Sequence, residues 1–102
     1  MDKELLEKIK IEKEKLLKDG FKIIGVFGSY AKGEQNSDSD LDLLYDIEPT
    51  FVQKYGGFSA FSKLTEIKNS LQKALNKDVD IATIDNPSKT FQKYALKDIV
   101  YV

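Results

Sequence analysis

The run Phe21 to Phe27, FKIIGVF, is rich in β-branched and aromatic residues and breaks directly into Gly28-Ser29. That pattern predicts a buried strand entering a turn. Upstream, Asp2 to Lys18 sets Leu5, Leu6, Ile9, Leu16 and Leu17 on one side of a helical projection, and Gly20 follows as a C-terminal stop. Downstream, Leu41 to Ile47 reads as a second strand, and a loop around Gly56-Gly57 follows Pro49. Phe58, Phe61, Leu64, Ile67, Leu71 and Leu75 then recur at intervals of three and four until Asn76, which predicts a long helix with these residues on its core face. Val79 to Ile84 reads as a short strand, and Asn86-Pro87 places a capping side chain before a proline suited to the first helical position. Phe91, Ala95 and Ile99 continue on one face, and Ile99 to Val102 closes as a short extended piece. The order of elements predicts an α+β (mixed α/β) fold, a small mixed β-sheet with helices packed against it. A chain of 102 residues has room for one modest core, so residues 1–102 are expected to form a single domain.

Sixteen basic residues nearly balance seventeen acidic ones, so no global positive field exists to hold an extended nucleic acid by its phosphates. The chain has neither cysteine nor histidine, which removes disulfides, thiolate metal sites, thiol nucleophiles and the commonest general base. Chemistry must rest on carboxylates, hydroxyls, amines and bound metal. The Met-Asp-Lys-Glu start has no apolar signal region, and no run approaches the roughly 18 apolar residues that span a membrane. A cytoplasmic location is the expectation.

Two segments can carry that chemistry. Gly28-Ser29 stands where a strand gives way to the start of a short helix, so amide groups and a hydroxyl are available to a phosphate. Gly28 allows close approach of a ligand to the backbone, Ser29 can donate to a phosphoryl oxygen, Lys32 adds a nearby charge, and Gly33 ends the helical turn. A P-loop is excluded because Glu34-Gln35 follow Gly33 where lysine and a hydroxyl residue are required. The second segment is Asp40-Leu41-Asp42, whose carboxylates alternate onto one strand face while Leu41 and Leu43 turn to the other. Two anions so placed raise each other's pKa unless a cation neutralises them, and hard oxygen ligands suit magnesium or manganese. An EF-hand starting at Asp38 fails because Leu43 and Pro49 fall where glycine and glutamate are needed. Asp80, flanked by Val79 and Ile81 as wall residues, is the third candidate carboxylate, whereas Asp78 reads as solvated surface. Each segment alone has an ordinary reading: a Gly-Ser turn, or a solvated acidic strand edge.

Taken together, Gly28-Ser29-Tyr30-Ala31-Lys32-Gly33, six further residues, Asp40-Leu41-Asp42 and a later Asp80 resemble the polymerase-beta-like nucleotidyltransferases, most of all the minimal nucleotidyltransferase (MNT) family. The likeness spans essentially the whole chain. Lys32 stands where that family usually has arginine, which keeps the charge and loses the bidentate fork. The resemblance implies a nucleotidyltransferase fold in which Asp40, Asp42 and Asp80 hold two magnesium ions, Gly28, Ser29, Lys32 and Gly33 serve the nucleotide, and Asp80 accepts the proton of the incoming hydroxyl. It also implies AMP transfer from ATP to a protein hydroxyl, tyrosine being the expected one, on a helical HEPN toxin, with this chain as the antitoxin of a type VII-like toxin–antitoxin system. The chain has no residues left to build an acceptor domain, so the acceptor is expected on another chain. Two alternatives stay open: an antitoxin of the same fold that acts only by binding, and transfer to a small molecule in a pocket supplied by a homo-oligomer. Nucleobase choice is not legible; Phe51, Tyr55 and Phe58 could stack on a base or contact a partner, but aromatic residues near a helix start more often belong to the core.

Overall fold

The chain is described by a computed structural model covering residues 2–83 and 98–102. Helix α1 (Lys3–Leu17) starts where the Asp2 carboxylate accepts the Glu4 N–H at 3.1 Å, an N-cap that satisfies one of the helix's orphan donors. Leu5 and Ile9 are buried and Leu16 is half-buried. Leu17, expected on the same side, is exposed, and Leu6 is only half-buried. Gly20, at φ 84°, then turns the chain into strand β1 (Phe21–Phe27).

Strand β1 pairs antiparallel with β2 (Leu41–Ile47), from Phe21 opposite Ile47 to Phe27 opposite Asp42, with an irregularity between Ile23 and Gly25. Strand β3 (Val79–Thr83) joins the other side of β2 in parallel, and the short β4 (Val100–Tyr101) joins β1 antiparallel. The sheet order is β3-β2-β1-β4. A parallel neighbour needs a crossover, and two helices supply it: α3 (Pro49–Tyr55) and α4 (Phe58–Leu75). The sheet is therefore mixed, as its sequence predicts, with the short α2 (Ser29–Lys32) at the end of β1. The core lies between the sheet side chains Phe21, Ile23, Leu41, Leu43 and Val79 and the helical Ile9, Ile67, Leu71 and Leu75.

Helix α3 corrects the sequence reading, which treats the stretch after Pro49 as loop. Proline locks φ near the helical value and loses nothing at the first position, so Pro49 opens a helix here. Phe51 of this helix is 1% exposed, and its neighbour Tyr55 is half-buried with the rings 5.1 Å apart. A second correction concerns α4. Ile67, Leu71 and Leu75 are buried, but Phe58 and Phe61, expected on the core face, are 93% and 73% exposed. Phe51 supplies the buried aromatic from α3, and Ala60 and Leu64, rather than Phe58 and Phe61, pack against the core from the first turns of α4. The expected cap at Asn86-Pro87, together with Ile84, Phe91 and Ala95, lies outside the described residues; Ile99 is half-buried and leads into β4. No described helix is long and apolar enough to cross a membrane.

These placements separate two classes of apolar residue on one helix. Phe58→Ser and Phe61→Ser should each change unfolding free energy by no more than about 0.5 kcal/mol, whereas Leu71→Ala should lower it by about 2–5 kcal/mol; urea denaturation of the purified variants checks both.

Candidate active site

The turn after β1 is built by two glycines and one anchor. Gly28 adopts φ 75°, ψ −152°, and Gly33 closes α2 in the left-handed region at φ 72°, both disfavoured for residues bearing a Cβ. Tyr30, buried at 8% exposure, ties α2 to the core, and the carbonyl of Ser29 accepts the Glu34 N–H at 2.9 Å. The first amides of a helix have no partner within it, so the start of α2, with the half-buried Ser29, suits an anion. Lys32 is exposed and enters no ion pair among the described residues.

Asp42 is the centre of the arrangement. It pairs with Phe27 at the end of β1 and with Asp80 on β3, so the two ladders of β2 bring the glycine turn, Asp42 and Asp80 side by side. Gly28 makes room for this: a Cβ there would collide with Asp42 Oδ2 and lie 3.2 Å from its Cγ. Burial, followed by the charges of Asp80 and Asp40, pushes the Asp42 carboxyl above its ordinary value of 3.8. Leu41, Leu43 and Val79 alternate to the opposite, buried face.

The other two carboxylates are more open. Asp40 is exposed and stands one residue before β2, so it is not itself in the strand expected from sequence. A hydrogen-bonded turn leads to it: the Asp38 N–H donates to Asn36 Oδ1 at 2.8 Å, and the Asn36 N–H donates to Ser39 Oγ at 3.0 Å. That Asn-x-x-Ser turn was overlooked in the sequence reading, although its composition is the signal for one. Asp80 is 57% exposed at its side chain, and Ile81, expected as a buried wall, is half-buried. The Lys68 ammonium of α4 lies 3.2 Å from Asp80 Oδ1, a contact between a helix and the strand that follows it that no sequence pattern announces.

Among the described residues, no three carboxylates are closed into a metal-binding set. The chemistry of the donors nonetheless fits a hard divalent cation. All are carboxylate oxygens, and Asp42, raised by burial and then by the charges of Asp80 and Asp40, is a group whose ionised form a shared cation would favour. Beside this cluster lies a broad polar groove whose wall includes Tyr30, Ser39 and Asp78, chain neighbours of Ser29, Asp40 and Asp80. The groove borders the carboxylates without containing them. Phe51 is buried and Phe58 lies at the opposite end of α4 from Asn76, so neither stands at this site.

Known proteins resemble this chain in sequence and in fold. The family described as polymerase beta, nucleotidyltransferase matches residues 7–102. A Methanocaldococcus jannaschii protein named as a protein adenylyltransferase is 34% identical over 98% of this chain and 93% of its own length. The protein adenylyltransferase MntA of Thermococcus cleftensis is 33% identical over 97% of this chain and 94% of its own. Among solved structures, one described as a minimal nucleotidyltransferase superposes with a TM-score of 0.74 at 27% identity, covering 100% of this chain and 97% of its own. A chain from a crystal structure of a toxin–antitoxin with AMP-PNP shares the fold, with a TM-score of 0.66 at 23% identity over 93% of this chain and 69% of its own.

Two outcomes follow from the crowding at Asp42. Gly28→Ala should lower affinity for an ATP analogue at least tenfold, by calorimetric titration, because the new methyl displaces Asp42 and cannot hold the φ of the turn without cost. For Asp42→Asn, the sign is the reverse of a salt-bridged carboxylate. A raised native pKa means stability falls as pH rises from the ordinary carboxylate value through the native one. The substitution should therefore raise the thermal midpoint of metal-free protein by a few degrees at neutral pH, and the gain should vanish in acid, where Asp42 is protonated anyway.

Proposed function

The chain belongs to the polymerase beta nucleotidyltransferase family and is a nucleotidyltransferase enzyme, and from that premise we propose that it transfers AMP from ATP to a hydroxyl of a partner toxin, silencing it as the antitoxin of a type VII-like pair. The observation that carries this reading is the register: Asp42 lies between the Gly28 turn and Asp80, so phosphate-binding and carboxylate groups share one strand end. Relatives named as protein adenylyltransferases support a protein acceptor. A fold neighbour from a toxin–antitoxin structure supports a toxin in that role. The identification of the toxin as a helical HEPN protein, and of tyrosine as the acceptor, comes from the resemblance of the sequence to the MNT family.

In this reading the amides at the start of α2 and the Ser29 hydroxyl hold the outer phosphates of ATP, with Lys32 and Gly33 completing the turn. Asp40, Asp42 and Asp80 would hold two magnesium ions, with manganese as a substitute, which would offset charge on the phosphates. The acceptor oxygen bonds to the α-phosphorus while the bond from that phosphorus to the bridging oxygen breaks, and pyrophosphate leaves. Asp80, open to solvent, takes the proton of the hydroxyl. The acceptor comes from a second protein acting on the open side of the site, in the cytoplasm.

Incubation with α-labelled ATP, magnesium and the partner toxin tests the proposal. Label should appear on the toxin with wild-type protein and fall at least a thousandfold with Asp40→Ala plus Asp42→Ala. Undiminished labelling by that double variant, or none by the wild type, defeats it. Full neutralisation of the toxin by the unlabelling double variant would favour the alternative in which the antitoxin acts by binding alone.

A further inference from the structure

Lys68 takes part in none of the roles assigned above. It follows the buried Ile67 and precedes the buried Leu71 by three residues, so its backbone is fixed by the core stripe of α4. Asp80 is fixed equally firmly, because β3 is laddered to β2 from Leu41 opposite Val79 to Tyr45 opposite Thr83. The ammonium at 3.2 Å from Asp80 Oδ1 therefore joins two rigid elements at one carboxylate of the site. Asp80 is paired in register with Asp42, whose carboxyl is pushed up by burial and then by the charges of Asp80 and Asp40.

We propose that Lys68 is a positioning residue for the metal site: it neutralises Asp80 in the nucleotide-free protein and competes with a divalent cation for that carboxylate. The inference rests on the reading of Asp80 as a metal ligand. An ammonium brings one charge, and that of Lys68 is paired with Asp80, whereas a divalent ion brings two charges and can be shared among several carboxylates. With Lys68 39% and Asp80 57% exposed, the pair is half-solvated and weak enough to be displaced. Lys68 thus keeps affinity for the free ion low, and the oxygens of a triphosphate tip the competition, so that cation and nucleotide enter together.

Titration of nucleotide-free protein with Mn2+ alone, followed by the electron paramagnetic resonance signal of the unbound ion, tests this. Lys68→Met should bind Mn2+ roughly 3- to 5-fold tighter than wild type, the range a half-exposed ion pair can account for. Lys68→Arg should stay near wild type. Lys77→Met, which removes the same charge from an ammonium lying over the Tyr30 ring, should not tighten binding. On an Asp80→Asn background, Lys68→Met should have no effect. Unchanged or weaker binding by Lys68→Met, or equal tightening on the Asp80→Asn background, overturns the proposal. If Asp80→Asn alone leaves Mn2+ binding at the wild-type value, the assignment of Asp80 falls and the role of Lys68 falls with it. Thermal midpoints of all variants confirm that each is folded.

Discussion

Two aspartates stand at paired positions of adjacent strands, and their repulsion is the constraint on which the rest of the structure depends. The sheet cannot relieve that repulsion by slipping. Moving β2 by one residue would turn Asp42 into the core and bring Leu41 and Leu43 out of it, at a cost far greater than the repulsion. The register therefore holds the charges together even though they oppose it. In the proposed reaction, a cation bound between the carboxylates would relieve that repulsion.

Helix α4 is what lets so small a sheet hold that arrangement. It serves as the crossover between β2 and β3, and its buried stripe, Ile67, Leu71 and Leu75, lies over the sheet. Its polar side does separate work. Gln72 accepts the Val79 N–H at 3.1 Å, satisfying a donor at the start of the edge strand, and Lys68 reaches Asp80. Lys77, just beyond the helix, lies over the Tyr30 ring 5.6 Å from its centroid and so links the crossover to α2. One element thereby locates β3, its aspartate and the turn that faces them.

Much of this was legible in the sequence because it depends on local rules. The two strands, α1, the long helix and the glycine turn follow from periodicity and backbone freedom, and their bounds agree closely with the structure. Helix α3 was missed because Pro49 signals both a break and a helix start, and only the burial of Phe51 shows which applies. Phe58 and Phe61 misled because large apolar residues at helical spacing read as core, whereas in the first turns of α4 it is Ala60 and Leu64 that pack against it. At the site, the placement of Gly28, Asp42 and Asp80 side by side agrees with the spacing argument, whereas the roles of these residues stay a proposal. The Lys68 contact depends on how a helix lies across a strand edge, which no spacing encodes.

The absent Cβ at Gly28 also governs the order in which a lineage could lose this site. While Asp42 keeps its carboxylate, the glycine is held in place by collision as well as by its dihedral angle. Once residue 42 shrinks, only the dihedral restraint is left. Decay should thus begin at the carboxylate, and the turn should erode later. In a descendant that has abandoned transfer, a surviving glycine says little, while a bulky residue at position 28 marks an older loss.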